Sequence, residues 1–169
     1  PECPSGLRSF TRPTGNLKQD LFTRVIDELA PDLWALTFYF QGEPYINPGF
    51  LDMVRYAHEK NLYTATSTNA HFLDDTKAEA TVRSGLSRLI ISLDGTTQET
   101  YASYRREGEL AKVIEGTKRI VEWKRRLKSR TPHVVFQFLV VKPNEHQIPE
   151  ARQLAKELGV DELWLKTAQ

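Results

Sequence analysis

Glu43 stands one residue before the end of the run Leu36-Thr37-Phe38-Tyr39-Phe40-Gln41-Gly42-Glu43-Pro44. β-Branched and aromatic residues open that run, as in a buried strand. Gly42 then lets the backbone turn close to a ligand, and Pro44 stops the strand. A carboxylate held at such an edge, beside exposed carbonyls, suits a cationic ligand such as an α-ammonium group. Taken alone, Gln41 to Pro44 is better read as a turn with a solvated Glu. Other apolar runs, however, end in the same way, at Ser67-Thr68-Asn69 and at Ser92-Leu93-Asp94-Gly95. A fourth carries Gln137 within it and Lys142-Pro143-Asn144 at its edge. Small polar groups of this kind hydrogen-bond a sugar, a carboxylate and an ammonium. One such edge is ordinary turn chemistry, whereas four together point to a site.

The elements that must position these residues alternate along the chain. Residues 1–16 read as irregular, because Pro1, Pro4, Ser5, Gly6, Pro13 and Gly15 break any period. Leu17, Leu21, Phe22, Val25, Ile26 and Leu29 recur at helical spacing and predict a helix over 17–29. Further helices are predicted over 48–60, 74–84, 98–104 and 109–127, and one more ends at Gly159. Strands are predicted over 32–40, 62–67, 88–93, 132–141 and 162–166. Such alternation implies parallel strands joined by right-handed crossovers, and near-continuous apolar strands imply a sheet covered by helices. A doubly wound sheet and part of a (β/α) barrel both fit. In either, function gathers at the C-terminal ends of the strands. Starting on a helix and ending on a strand reads as a sheet cut from a longer repeat.

Composition narrows the class. With 169 residues, 40% hydrophobic and 27% charged, the chain is expected to be one globular domain. A net charge of +1 gives no strong nucleic-acid or membrane signal, and no apolar run approaches the roughly 20 residues of a membrane span. The single cysteine excludes an internal disulfide and fits a reducing compartment, with the cytoplasm as default. His58, His71, His133 and His146 lack metal-ligand spacing, and neither a phosphate loop nor a nucleophile elbow is present. Lys118, Arg119, Lys124, Arg125, Arg126, Lys128 and Arg130 cluster, but Glu107, Glu109, Glu115 and Glu122 lie close by. A solvated outer helix face is therefore expected. Trp34 and Trp123 are expected in the core or an interface.

In order and spacing these segments resemble the radical S-adenosylmethionine enzymes, in particular the branch carrying a C-terminal SPASM domain. Cys3, in Pro1-Glu2-Cys3-Pro4, is similar to the third cysteine of the CxxxCxxC loop. Gln41-Gly42-Glu43-Pro44 resembles GGEP with Gln for the first Gly, and Thr68-Asn69-Ala70 resembles TNG with Ala for Gly. Ile91-Ser92-Leu93-Asp94-Gly95 resembles the SLDG strand end, and Tyr104-Arg105 the Tyr-Arg pair that follows it, with one residue inserted. The stretch from Val140 to Ile148, with Asn144 and Gln147, is similar to the segment after the fifth family strand.

The resemblance implies an α/β fold: a parallel sheet of about five strands with outer helices, a truncated partial (β/α)6 TIM-like barrel. It implies a [4Fe-4S] cluster with Cys3 as a ligand, and bound S-adenosylmethionine. Gly42 and Glu43 would hold the methionine ammonium, Ser92 the ribose or carboxylate, and Arg105 the carboxylate. Gln137 would face the ribose, Asn69 would line the cavity near the substrate, and Asp94 belongs to the same cofactor-binding set. Implied partners are a peptide or protein substrate and an electron donor such as flavodoxin or ferredoxin, with neither nucleic acid nor membrane. Cluster ligation takes several thiolates and this sequence offers one, so residues 1–169 alone are expected to be inactive. The first strand, two ligand cysteines and the SPASM region are expected to be missing. The competing expectation is a non-catalytic α/β module that binds a partner through the basic helix over 109–130.

Overall fold

The computed structural model describes residues 11 and 13–167. Five parallel strands form one sheet: β1 (Ala35–Thr37), β2 (Tyr63–Thr68), β3 (Arg88–Ser92), β4 (His133–Val140) and β5 (Glu162–Thr167). Their spatial order is their sequence order. A doubly wound sheet reverses its strand order at a switch point, and none occurs among the described residues. Right-handed crossovers that all step the same way put every connecting helix on one face, as in a barrel wall. Of the two architectures open to the sequence, the topology selects the barrel type.

Between α1 (Gln19–Leu29) and the last strand, the helices are α2 (Phe50–Glu59), α3 (Asp75–Arg83), the short α4 (Gln98–Tyr104), α5 (Leu110–Arg126) and α6 (Ile148–Leu158). Local chemistry sets several of their ends. Asp74 caps α3 by accepting from Lys77 N at 2.7 Å, and Thr97 caps α4 by accepting from Thr100 N. Gly159, in the left-handed region, stops α6. The expected helix over 17–29 begins two residues later and buries only Phe22 and Ile26; Leu21, Val25 and Leu29 stay exposed.

Side chains alternate across a strand, so the ladder register sorts them into two faces. Leu89, Ile91, Val134, Phe136 and Phe138 lie towards the helices and pack with Val54, Ala78, Val113, Ile120 and Ala151 into the main core. The opposite face carries Ser67, Arg88, Ile90, Ser92, Val135, Gln137, Trp164 and Lys166. This inner face is polar towards the C-terminal strand ends. At the other end, the Arg88 guanidinium lies 5.5 Å from the Tyr63 ring and 5.2 Å from the Trp164 ring, beside a His133–Glu162 pair at 3.1 Å.

β1 is much shorter than the expected strand over 32–40. Ala30–Asp32 forms a single 3-10 turn before it, and only Phe38 N, bonded to Ala65 O at 2.8 Å, extends the pairing beyond Thr37. Phe38 turns inward against Phe22 and Phe50, each with its ring centroid 5.6 Å away, and Tyr45 stacks edge-on against Phe50. Phe40, in contrast, is 91% exposed. Trp34, expected in the core or an interface, is 79% exposed: it precedes the strand, with its ring beside that of Tyr63.

The basic segment is a solvated outer face. Lys118 pairs with Glu115, both Arg125 and Arg126 pair with Glu122, and Lys124 reaches Asp161. Arg125 and Arg126 together hold the Glu122 carboxyl down at about 2. Neighbouring acids thus neutralise much of the charge that a docking helix would present.

Candidate functional site at the strand ends

The first group of site residues forms where β1 and β2 end. Gly42 turns the chain at φ +85°, a conformation that side chains disfavour. It is exposed, and a Cβ placed there would meet nothing within 4 Å, so the space beside the turn is open. Glu43 is half-buried and is not a free turn residue. Its Oε1 accepts from Tyr45 N at 3.2 Å and from Thr68 Oγ1 at 2.9 Å, and its Oε2 accepts from Asn69 N at 2.8 Å. Burial raises the Glu43 pKa, against these three hydrogen bonds, which lower it. The carboxylate is therefore pinned across two strand ends, with acceptor capacity left on Oε2.

The Asn69 turn is itself braced. Thr68 Oγ1 accepts from Ala70 N, and Asn69 Oδ1 accepts from His71 N, each at 3.0 Å. Glu109 N donates to His71 Nε2 at 2.9 Å, so the imidazole proton sits on Nδ1 and is donated to Asn69 O at 2.8 Å. His71 thus ties the β2 turn to the start of α5. Nothing in the sequence marked it. Thr68 lay inside the Thr-Asn-Ala segment but was not singled out.

The second group sits on the inner face. Ser92 and Gln137 are register partners on β3 and β4, with Trp164 in the same row of β5. Ser92 is buried and Gln137 half-buried, which places a hydroxyl and an amide side by side at the C-terminal end of the sheet.

The third group is a buried clamp just beyond. Asp94 Oδ2 accepts from Arg105 Nε at 2.6 Å, and its Oδ1 accepts from Leu139 N at 3.1 Å. Burial works against the Arg105 charge, but the Asp94 carboxylate outweighs it and raises the Arg105 pKa. Asn144 Nδ2 donates to both Asp94 O and Leu139 O, while its Oδ1 accepts from Val141 N. Gln147 accepts from Thr96 N and donates to the Thr97 and Thr100 hydroxyls. Gly95 is required for packing: a Cβ there would lie 2.5 Å from Tyr101 N in α4. Tyr101 is fully buried beneath this layer, and burial pushes its hydroxyl up to about 12.

Six of the expected cofactor residues, Glu43, Asn69, Ser92, Asp94, Arg105 and Gln137, thus fall at or just past adjoining C-terminal strand ends, with Gly42 beside them. Glu43 is bonded to Asn69, Asp94 to Arg105, and Ser92 is laddered to Gln137. Cys3 lies outside the described residues. Among the described residues, no group of three His, Cys, Asp or Glu side chains is arranged to hold a metal. A cavity of about 450 Å3 lies elsewhere, outside the sheet, between the 70–74 loop, α3 and the first turns of α5.

Comparison with known proteins identifies the family. Residues 3–160 match the radical SAM superfamily. The chain belongs to that superfamily. Membership brings the family's two cofactors, a [4Fe-4S] cluster and S-adenosylmethionine. Among curated radical SAM relatives, the chain is 31% identical over 160 residues to a PqqA peptide cyclase of Gluconobacter oxydans, covering 94% of this chain and 42% of that protein. It is 29% identical over 152 residues to the tungsten-containing aldehyde ferredoxin oxidoreductase cofactor-modifying protein of Pyrococcus furiosus, covering 87% of this chain and 42% of the relative. The chain therefore spans about two fifths of the length of these relatives. Those called cyclase or synthase are enzymes by name.

The fold agrees. SuiB of Streptococcus suis bound to S-adenosylmethionine superposes with a TM-score of 0.76 at 15% identity, over 94% of this chain and 36% of that one. anSMEcpe with bound AdoMet gives 0.72 at 14% identity, over 94% of this chain and 45% of that one. These structural neighbours share the parallel sheet with flanking helices of a partial TIM-type barrel. Peptide modifiers stand among the relatives, as in the SPASM-type branch that the sequence resembles. No described helix is long and apolar enough to cross a membrane.

Proposed function

We propose that residues 1–169 form the S-adenosylmethionine-binding core of a radical enzyme that modifies a peptide or protein. The single observation that carries this reading is the donor set at the strand ends. It pairs an anchored carboxylate with spare acceptor capacity (Glu43) and a guanidinium bonded through one edge only (Arg105). A hydroxyl and an amide (Ser92, Gln137) lie on the intervening strands. An ammonium, a carboxylate and a ribose are what such groups recognise.

In this reading Glu43 accepts from the methionine ammonium, and the Gly42 turn lets the cofactor approach. Arg105 takes the carboxylate, Ser92 and Gln137 meet the ribose side, and Asn69 lines the cavity towards substrate. The [4Fe-4S] cluster, when bound and reduced, would supply one electron to the sulfonium, whose C–S cleavage would leave methionine and a 5′-deoxyadenosyl radical for hydrogen abstraction. Cys3 is one ligand in this reading; the remaining thiolates and the electron donor, a flavodoxin or ferredoxin type, come from outside residues 1–169. The 1–169 chain by itself is then inactive. A peptide substrate is supported by the PqqA peptide cyclases and by the SuiB structure with its precursor peptide SuiA.

The test is Glu43→Gln in the anaerobically reconstituted full-length protein. Loss of a charge-assisted hydrogen bond costs on the order of 1.5–3 kcal/mol, so S-adenosylmethionine affinity should fall roughly ten- to a hundredfold by titration calorimetry. Unchanged affinity in a folded variant would return Glu43 to a purely structural turn.

A further inference from the structure

Asp94 is the one fully buried Asp, Glu, Lys or Arg side chain among the described residues, at 1% exposure. Both its carboxylate oxygens are engaged within this chain: Oδ2 by Arg105 Nε and Oδ1 by Leu139 N. Its backbone carbonyl is taken as well, by Asn144 Nδ2 at 3.0 Å. So deeply buried, the carboxylate is closed to a cofactor by the groups packed around it. Arg105 presents the opposite picture. Its only side-chain hydrogen bond among the described residues runs through Nε, and the side chain remains 35% exposed, with the guanidinium beside the Tyr104 ring.

A guanidinium offers a carboxylate two planar forks, one from Nε with one Nη and one from the two Nη atoms. Asp94 takes the Nε that the first fork requires. An incoming carboxylate is left with the Nη1–Nη2 fork, whose direction is set because Asp94 is itself held by the β4 backbone. The same carboxylate fixes Leu139 N, two residues beyond Gln137, and so holds β4 in register with β3, on which Ser92 sits.

We propose that Asp94 is a positioning residue: it locks Arg105 by its Nε edge and aims the Nη1–Nη2 fork at the carboxylate of bound S-adenosylmethionine. Resting on the S-adenosylmethionine reading above, it moves Asp94 from the set that touches cofactor to the set that orders the residues touching it. The gain is preorganisation. A long flexible side chain that is already oriented loses less freedom when the ligand arrives.

The test uses full-length, anaerobically reconstituted protein and two probes, S-adenosylmethionine and its decarboxylated analogue, which lacks the group Arg105 would bind. Asp94→Asn keeps the shape and one acceptor but loses the charge. It should weaken S-adenosylmethionine about tenfold and leave the analogue's affinity unchanged. Arg105→Gln should weaken S-adenosylmethionine at least as much, and the double variant should be no weaker than Arg105→Gln alone. Equal loss for both probes in Asp94→Asn would make Asp94 a general structural residue and overturn the proposal. So would unchanged affinity for both. If Arg105→Gln itself binds both probes as the parent does, the assignment of Arg105 to the carboxylate is what fails. Should Asp94→Asn not fold, Arg105→Lys decides: it keeps the charge beside Asp94 but has no fork. Its preference for S-adenosylmethionine over the analogue should collapse, and a retained preference overturns the proposal.

Discussion

Asn144 offers the sharpest stability test of the strand-end architecture. It is 1% exposed and makes three hydrogen bonds across two strand ends: to Asp94 O at 3.0 Å, to Leu139 O at 2.8 Å and from Val141 N at 2.8 Å. Asn144→Ala strands two carbonyls and one N–H in a buried layer. Each bond is worth about 1 kcal/mol net, and a stranded buried group costs about 1–3 kcal/mol where water does not replace the partner. Taking about 3 kcal/mol in all, and about 2–4 °C per kcal/mol for a chain of this size, Tm should fall by about 6–12 °C. Asn144→Asp is the discriminating companion. It keeps an oxygen for Val141 N but turns a second oxygen towards two carbonyls, so it should be worse than Ala at neutral pH. Protonation would restore one donor, so its deficit should shrink as pH falls. Thermal and urea unfolding of the three proteins at neutral and acid pH measures this. A loss below about 1 kcal/mol for Asn144→Ala, or an aspartate variant as stable as the parent at neutral pH, would mean that the clamp does not hold the segments beyond β3 and β4 together.

Gly116→Ala should destabilise despite better helix propensity. The added Cβ would lie 2.8 Å from Ala70 O and 3.0 Å from Leu73 Cβ, so an overpacking cost of about 1–3 kcal/mol exceeds a propensity gain of about 1 kcal/mol; a raised Tm would show that the 70–73 turn yields. Glu43 should leave a pH signature, because burial raises its folded pKa above the 4.5 of the free group. Its stabilising contribution is then fully present below pH 4.5 and lost as pH rises through the folded value, so the parent should lose ground to Glu43→Gln over that window. Denaturant titrations at stepped pH check the sign, and a relative gain for the parent would contradict it.

What the sequence made legible was whatever depends on near neighbours. Helical spacing located α4 at its observed bounds, 98–104, and the apolar run of β4 to within a residue at each end. The polar endings of the strands marked the edge of the candidate site, because a parallel sheet leaves its functional groups only one place to gather. Where burial had to be guessed from residue type, the reading failed. Tyr39 and Phe40 have high strand propensity, yet the ladder ends at Thr37 and Phe40 lies in solvent. Propensity describes what fits a half-covered pleat, and only tertiary neighbours decide whether a cover exists. Roles within the site were hidden for the same reason. Asp94 meets Leu139 across 45 positions, Asn144 reaches back 50 to Asp94, and His71 links to Glu109 over 38. No local period encodes such partners. A motif therefore locates a residue at the strand end without saying whether it faces the ligand or holds another residue that does. Under the proposal above, Asp94 and Arg105, 11 positions apart and joined at 2.6 Å, divide those two tasks between them.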